Sequence, residues 1–211
     1  MKKYFVKTPW WLKRIYSGYT WSLPTKEKII YLTFDDGPHP QATPFVLDEL
    51  KRYQAKAIFF CIGKNVAAYP EIYKRILTEG HTVGNHTHNH LNGWKENDKD
   101  YFKNIFDASK YIDSDLFRPP YGKISTFQAK QVIEKMNYKI VMWSVLSGDF
   151  DKKLSAEDCV NNVKKGASPG SIIVFHDSEK CFSKLRYILP KTLEFFAGRQ
   201  YQFENLKSGD L

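Results

Sequence analysis

Cysteine is scarce in this chain of 211 residues, which holds only Cys61, Cys159 and Cys181. Their odd number, wide spacing and lack of any Cys-x-x-Cys pair argue against a disulfide framework and against a cysteine metal site. Cys61 ends the apolar run Ala57-Ile58-Phe59-Phe60. It is expected as a buried free thiol, of the kind a reducing compartment preserves. Long apolar runs are also missing. Met1-Lys2-Lys3 resembles the start of a signal peptide, but Lys7, Pro9, Lys13 and Arg14 interrupt the apolar stretch that a leader would need next. The expectation is of no secretory leader and no membrane-crossing helix. The location expected on that basis is cytoplasmic, or the cell envelope if a leader has been trimmed. Repeats and low-complexity linkers are absent. The net charge of +9 would draw anionic polymers or acidic membranes. The lysines are scattered, however, and no nucleic-acid motif accompanies them, so no nucleic-acid partner is expected.

The composition that remains is that of one globular domain with a substantial core, 42% hydrophobic and 26% charged. Residues 1–27 stand apart as an aromatic-basic extension, with Trp10, Trp11, Tyr16, Tyr19 and Trp21 beside Lys7, Lys13 and Arg14. Such an arm suits a membrane surface. The expectation adopted is an arm packed across the domain that buries its tryptophans. From residue 28 to 211, apolar β-branched runs alternate with helical patterns. Strands are expected at Lys28–Phe34, Lys56–Ile62, Thr82–Gly84, Phe117–Arg118, Lys139–Val145, Ser171–Phe175 and Tyr201–Leu206. Helices are expected at Pro44–Tyr53, from Pro70 to Gly80, and at Lys99–Ile112, Phe127–Lys135, Ala156–Lys165 and Leu185–Phe196. This alternation predicts an α/β fold with a parallel sheet covered on both faces. Polar residues gather just after the strands: Asp35 and Asp36, His86, Arg118, Asp149, His176. Their clustering favours a distorted, incomplete (β/α) barrel of about seven strands over an open sheet, because a barrel brings its strand ends to one mouth.

Two adjacent carboxylates, Asp35 and Asp36, call for a positive partner. His86 and His90 stand four apart, which on a helical turn would place both imidazoles on one face. With Asp36 they make a two-histidine, one-carboxylate set of the catalytic metal type. No glutamate lies between the histidines, so the metalloprotease helix pattern is excluded. His88 is expected to point away. A zinc-type cation would acidify water, and Asp35 would take its proton. His176 would handle the proton of the leaving group. The rigid Arg118-Pro119-Pro120-Tyr121-Gly122 turn would aim a main-chain N–H near Tyr121 at an oxyanion.

The ordered set Thr33-Phe34-Asp35-Asp36-Gly37, His86-Thr87-His88-Asn89-His90, Arg118-Pro119-Pro120-Tyr121-Gly122, Ser147-Gly148-Asp149-Phe150 and Ile172–Asp177 resembles the polysaccharide deacetylases, the NodB-homology domains of carbohydrate esterase family four. The resemblance runs from about Lys28 to Asp177. It implies that Asp35 is the catalytic base and that Asp36, His86 and His90 hold one divalent metal, zinc first and cobalt, nickel or manganese next. It further implies that Arg118 holds the base, that Tyr121 lends its N–H to the oxyanion hole, and that His176 is the acid, steered by Asp149. The implied activity is removal of acetyl groups, usually N-acetyl from chitin or peptidoglycan sugars and sometimes O-acetyl from xylan. The family's usual Asp-Ser-x-Asp-Trp reads Leu146-Ser147-Gly148-Asp149-Phe150 here. That change bears on substrate preference and leaves every catalytic group in place. The rival readings are an Fe(II) oxygen enzyme, a hydrolase of another small amide or ester, and a catalytically retired sugar-binding relative.

Overall fold

The computed structural model describes residues 4–206 and 209, so Met1–Lys3 and the extreme carboxyl end lie outside the described residues. In chain order the elements are α1 (Trp10–Ile15), β1 (Ile29–Asp35), α2 (Ala42–Arg52), β2 (Ala57–Cys61), α3 (Gly63–Ala68), α4 (Pro70–Thr78), β3 (Thr82–Asn85), α5 (Asp98–Ser109) and β4 (Leu116–Phe117). They continue with α6 (Thr126–Glu134), β5 (Lys139–Ile140), β6 (Val145–Leu146), α7 (Ala156–Gly166), β7 (Ile172–His176), α8 (Glu179–Ala197) and β8 (Gln202–Phe203).

The β1 run is apolar on both faces because both faces are covered, as in parallel sheets. Ile30, Leu32 and Phe34 point to the helices, where Phe34 stacks between Phe59 of β2 and Phe175 of β7. Tyr31 points the other way, to the concave side with Ile58 and Phe60. The period of two therefore sends Thr33 and Asp35 to that same concave side. β1 pairs in parallel with β2 and with β7, and Thr33 lies opposite Ile58 and Val174. The strand order is β5-β4-β3-β2-β1-β7-β6, with β8 pairing separately with the start of β1. Every pairing between these strands is parallel, and the sheet curls into an incomplete barrel.

Its two edge strands come from one stretch of chain. Lys139–Val145, expected as a single strand, is broken into β5 and β6. The break has a cause: the buried Arg118 guanidinium takes the carbonyls of Val141 (Nε, 3.0 Å) and Met142 (Nη2, 2.8 Å).

The arm preceding β1 lies over this seam. Thr20 bridges Val141, Lys7 bridges Val145 and Ser22 bridges Ser171. Trp21 is buried, and its indole donates to the Tyr16 carbonyl. The expectation that all the tryptophans are buried fails for Trp10 and Trp11, which are exposed. They sit on the six-residue α1, which has no buried residue and reaches the core only through the partly buried Leu12. Two short helices, α1 and α3, were not expected from the sequence.

Candidate active site

Asp35 closes β1 on the concave side, and Asp36 follows at φ 80°. This left-handed step breaks the strand alternation, so the second carboxylate also reaches the mouth. The Asn65 amide holds the turn by donating to the Asp36 carbonyl (2.7 Å). The glycine at 37 is required by close approach: a Cβ there would stand 2.2 Å from Asp177 Oδ2. The fully buried Asp177 carboxyl accepts from the Gly37 N–H (3.1 Å) and from the Thr43 hydroxyl. Burial pushes Asp177 up to about 8, against the Thr43 hydrogen bond. This brace between two loops was not found from the sequence, although Asp177 stands beside His176.

Asp36 Oδ1 lies 3.1 Å from His90 Nε2 and 3.7 Å from His86 Nε2. Burial alone would raise the Asp36 carboxyl. His90, His176 and His86 outweigh it and hold Asp36 well below the usual carboxylate range. The same Oδ1 is buried without a hydrogen bond. An acceptor left unpaired between two ring nitrogens is a poor arrangement for a protein alone and a fitting one for a cation. The oxygen and two nitrogens lie within 4.8 Å of one another and match the donors that zinc-like ions take.

His86 is fixed for that role. Its Nδ1 lies 2.7 Å from the Arg118 main-chain oxygen. With the proton on Nδ1, the Nε2 lone pair faces Asp36. Burial, reinforced by His90 and opposed by Asp35 and Asp36, lowers His86 to about 4, so the ring is neutral.

The helical turn expected for residues 86–90 is absent. Thr87 and His90 have φ 63° and 59°, and the segment is a loop. Polar side chains replace the missing helical bonds. Asn85 Oδ1 accepts from the Thr87 N–H (2.8 Å), and Asn104 Oδ1 accepts from the N–H groups of His88 (2.9 Å) and Asn89 (2.8 Å). His90 packs edge-on against Tyr121, while His88 is carried off to stack on Tyr111.

Arg118 is fully buried under the mouth, 4.0 Å from the Phe60 ring centroid. Its Nη1 donates to Asp35 Oδ1 and to Thr33 Oγ1, both at 2.7 Å. Asp35 lies directly across the β1–β7 pairing from His176, so the two share one face. His176 Nδ1 is 2.8 Å from Asp149 Oδ1, and Asp149 Oδ2 accepts from the His176 main-chain N–H at 2.7 Å. Burial alone would lower His176. Asp149 outweighs it, aided by Asp36 and Asp35, and pushes the imidazole up to about 10. Phe150 packs edge-on against the His176 ring at 5.3 Å. Tyr121 has φ 61° in its turn, and its main-chain N–H makes no hydrogen bond among the described residues.

All eight residues singled out in the sequence thus lie around one mouth: a paired carboxylate, a cation-ready triad and an imidazolium. The profile of the polysaccharide deacetylase family matches residues 22–141. The chain belongs to that family. A curated family member, the peptidoglycan-N-acetylglucosamine deacetylase of Bacillus cereus, is 40% identical over 194 residues, spanning 89% of this chain and 91% of that protein. The chitooligosaccharide deacetylase of Azorhizobium caulinodans is 38% identical over 155 residues, 70% of this chain and 73% of its own length. Among solved structures, the Bc1960 peptidoglycan N-acetylglucosamine deacetylase, bound to an N-oxidanyl-benzamide, superimposes with a TM-score of 0.85 at 35% identity. That match covers 94% of this chain and 95% of the other.

Proposed function

We propose that this polysaccharide deacetylase is metal-dependent and hydrolyses the N-acetyl group of an amino sugar in a chitin-like or peptidoglycan-like glycan. One observation carries the reading. An unpaired Asp36 oxygen beside two imidazole nitrogens is flanked by the Arg118-paired Asp35 and by the Asp149-paired His176. Asp36, His86 and His90 would hold one divalent cation, zinc first, which when bound would acidify water and polarise the acetyl carbonyl.

The chain's own groups supply the rest. Arg118 anchors one oxygen of Asp35 and leaves the other to take the proton of the attacking water. The Tyr121 N–H donates to the acetyl oxygen as charge builds on it. Water adds to the carbonyl carbon, the carbon–nitrogen bond breaks, and His176 gives its proton to the departing amine. Acetate and a free amino sugar result. Phe150 offers a ring to the sugar beside that amine. It lacks the indole N–H usual at this position, which favours stacking over a directed hydrogen bond.

The test is acetate release from chitin oligomers, peptidoglycan fragments and acetylated xylan, after chelation and repletion with Zn²⁺ or Co²⁺. Metal-restored acetate release from an N-acetylated substrate is expected. Release from xylan alone would move the reading to an O-acetyl esterase. Tight metal binding with no acetate from any substrate would leave a retired, sugar-binding relative.

A further inference from the structure

The arm before β1 is pinned at both ends of α1, yet it leaves two of its three tryptophans, Trp10 and Trp11, exposed. On the near side the Thr8 N–H donates to the Ser144 carbonyl and its hydroxyl to that of Trp143. On the far side the Thr20 N–H donates to the Ile140 carbonyl. Between these anchors α1 turns Leu12 inward. At about 100° per residue the opposite side carries Trp10 and Arg14, with Trp11 and then Ile15 along one flank. Trp10, Trp11 and Ile15 are 74%, 44% and 65% exposed, and Phe5, packed edge-on against Trp11, is 56% exposed. A tethered helix that holds two tryptophans outward presents them to something other than water.

The charge around these rings is of one sign. Residues 1–26 contain six lysines and arginines and no aspartate or glutamate. Lys7, Lys13 and Arg14 belong to the same segment, and none of them is ion-paired among the described residues. Burial and the nearby Lys7 both lower the Lys13 ammonium, so two cations crowd one face. Exposed tryptophans rimmed by unneutralised cations match a bilayer interface, where indole sits at the headgroup level and lysine meets anionic lipid. Among the described residues no helix is long and apolar enough to cross a membrane.

We propose that the α1 face, through Trp10, Trp11 and Ile15 and the cations Lys7, Lys13 and Arg14, docks this enzyme on an anionic lipid surface. The mouth would lie close to that surface. Tyr4, at the start of the same arm, packs on Phe150 at 5.1 Å, and Phe150 packs on His176.

The test is vesicle co-sedimentation of the full chain, with phosphatidylcholine alone or mixed with phosphatidylglycerol. It is scored without turnover, so its outcome is independent of the deacetylase reading. Binding to the anionic vesicles only is expected, with a blue shift of tryptophan emission and release by high salt. Trp10→Ser/Trp11→Ser and Lys13→Gln/Arg14→Gln should each weaken binding on the order of tenfold or more, since each cation near an anionic surface contributes several-fold. Circular dichroism and acetate release from a soluble chitin oligomer should stay as in the parent. No binding to anionic vesicles overturns the proposal, as does equal binding to neutral ones. A raised KM for the soluble oligomer in the tryptophan variant would make the face a sugar platform instead. A dimer dispersed by that variant without vesicle binding would make it a self-interface.

Discussion

The main-chain oxygen of Arg118 lies 2.7 Å from Nδ1 of His86, while the Arg118 guanidinium holds Asp35 at 2.7 Å. One residue thus orients a metal-ligand candidate with its backbone and a general-base candidate with its side chain. Buried arginine is costly unless fully paired. Here its three nitrogens serve Val141, Thr33, Asp35 and Met142. Replacing it by Met should leave the Asp35 carboxylate unpaired and two seam carbonyls unserved. The expected loss is about 3–5 kcal/mol of stability, read as a shifted urea midpoint. A variant as stable as the parent would show that the seam needs no guanidinium.

Metal affinity should separate the three neighbouring histidines. His86→Ala and His90→Ala each remove a ring nitrogen that faces Asp36 Oδ1. Loss of a direct ligand should cost more than the roughly 10–100-fold typical of an outer-shell change. His88→Ala should bind as the parent does, because that ring stacks on Tyr111. Competition with a zinc indicator measures all three. Parent-like binding by His86→Ala would remove it from the ligand set.

Asp35→Asn should keep fold and metal and lose ~10²–10⁴-fold in kcat, the usual scale for a general base. The amide fits the same space and accepts the Arg118 bond, but cannot take a proton from water. Loss of metal instead, seen by elemental analysis, would mean that Asp35 and not Asp36 is the carboxylate ligand.

The pH dependence turns on His176. Its native value, pushed up to about 10, lies above the ordinary histidine value of 6.5. The imidazolium is thus favoured by folding. Its stabilising contribution is full below about pH 6.5, declines above that, and is gone beyond about 10. Asp149→Asn removes the main cause of the upward shift. The stability gap between parent and variant should therefore narrow as pH rises from 6 to 10 in thermal melts. The alkaline limb of the kcat profile should move to lower pH. An unmoved limb would take the acid role away from His176.

Gly37→Ala tests the brace beneath the carboxylates. The added methyl would meet Asp177 Oδ2 at 2.2 Å. Overpacking of this kind costs about 1–3 kcal/mol. Melting should fall accordingly, with kcat falling too because Asp36 is the next residue. An unchanged melting temperature would show that Asp177 yields without cost.

The elements legible in the sequence are those whose burial is simple. Strands β1, β2 and β7 read directly, because runs such as Ile29–Phe34 are covered on both faces and end at polar residues. The mouth was legible for the same reason: Asp35 and His176 terminate neighbouring strands. Features set by distant polar partners were not readable. Nothing local in Lys139–Val145 announces that Arg118 will claim two of its carbonyls. Nothing in the i, i+4 spacing of His86 and His90 reveals that Asn85 and Asn104 will stabilise a loop in place of a helical turn. Trp10 and Trp11 looked like core residues by type, but α1 is too short to bury more than the Leu12 side.

The strand order also divides the site between the two halves of the chain. Asp36, His86 and His90 come from the loops that follow β1 and β3, strands joined through consecutive crossovers. The second neighbour of β1 is β7, whose Ile173 carbonyl meets the Thr33 hydroxyl from 140 positions away. Closing so long a loop is slower than pairing consecutive strands. On the ribosome, too, β7 emerges after the other two strands. The cation-ready triad is drawn wholly from the first half of the chain, and His176 and Asp149 from the second. The divalent ion proposed for this triad would thus tie the end of β1 to the end of β3 without any residue from the half that carries the proton donor.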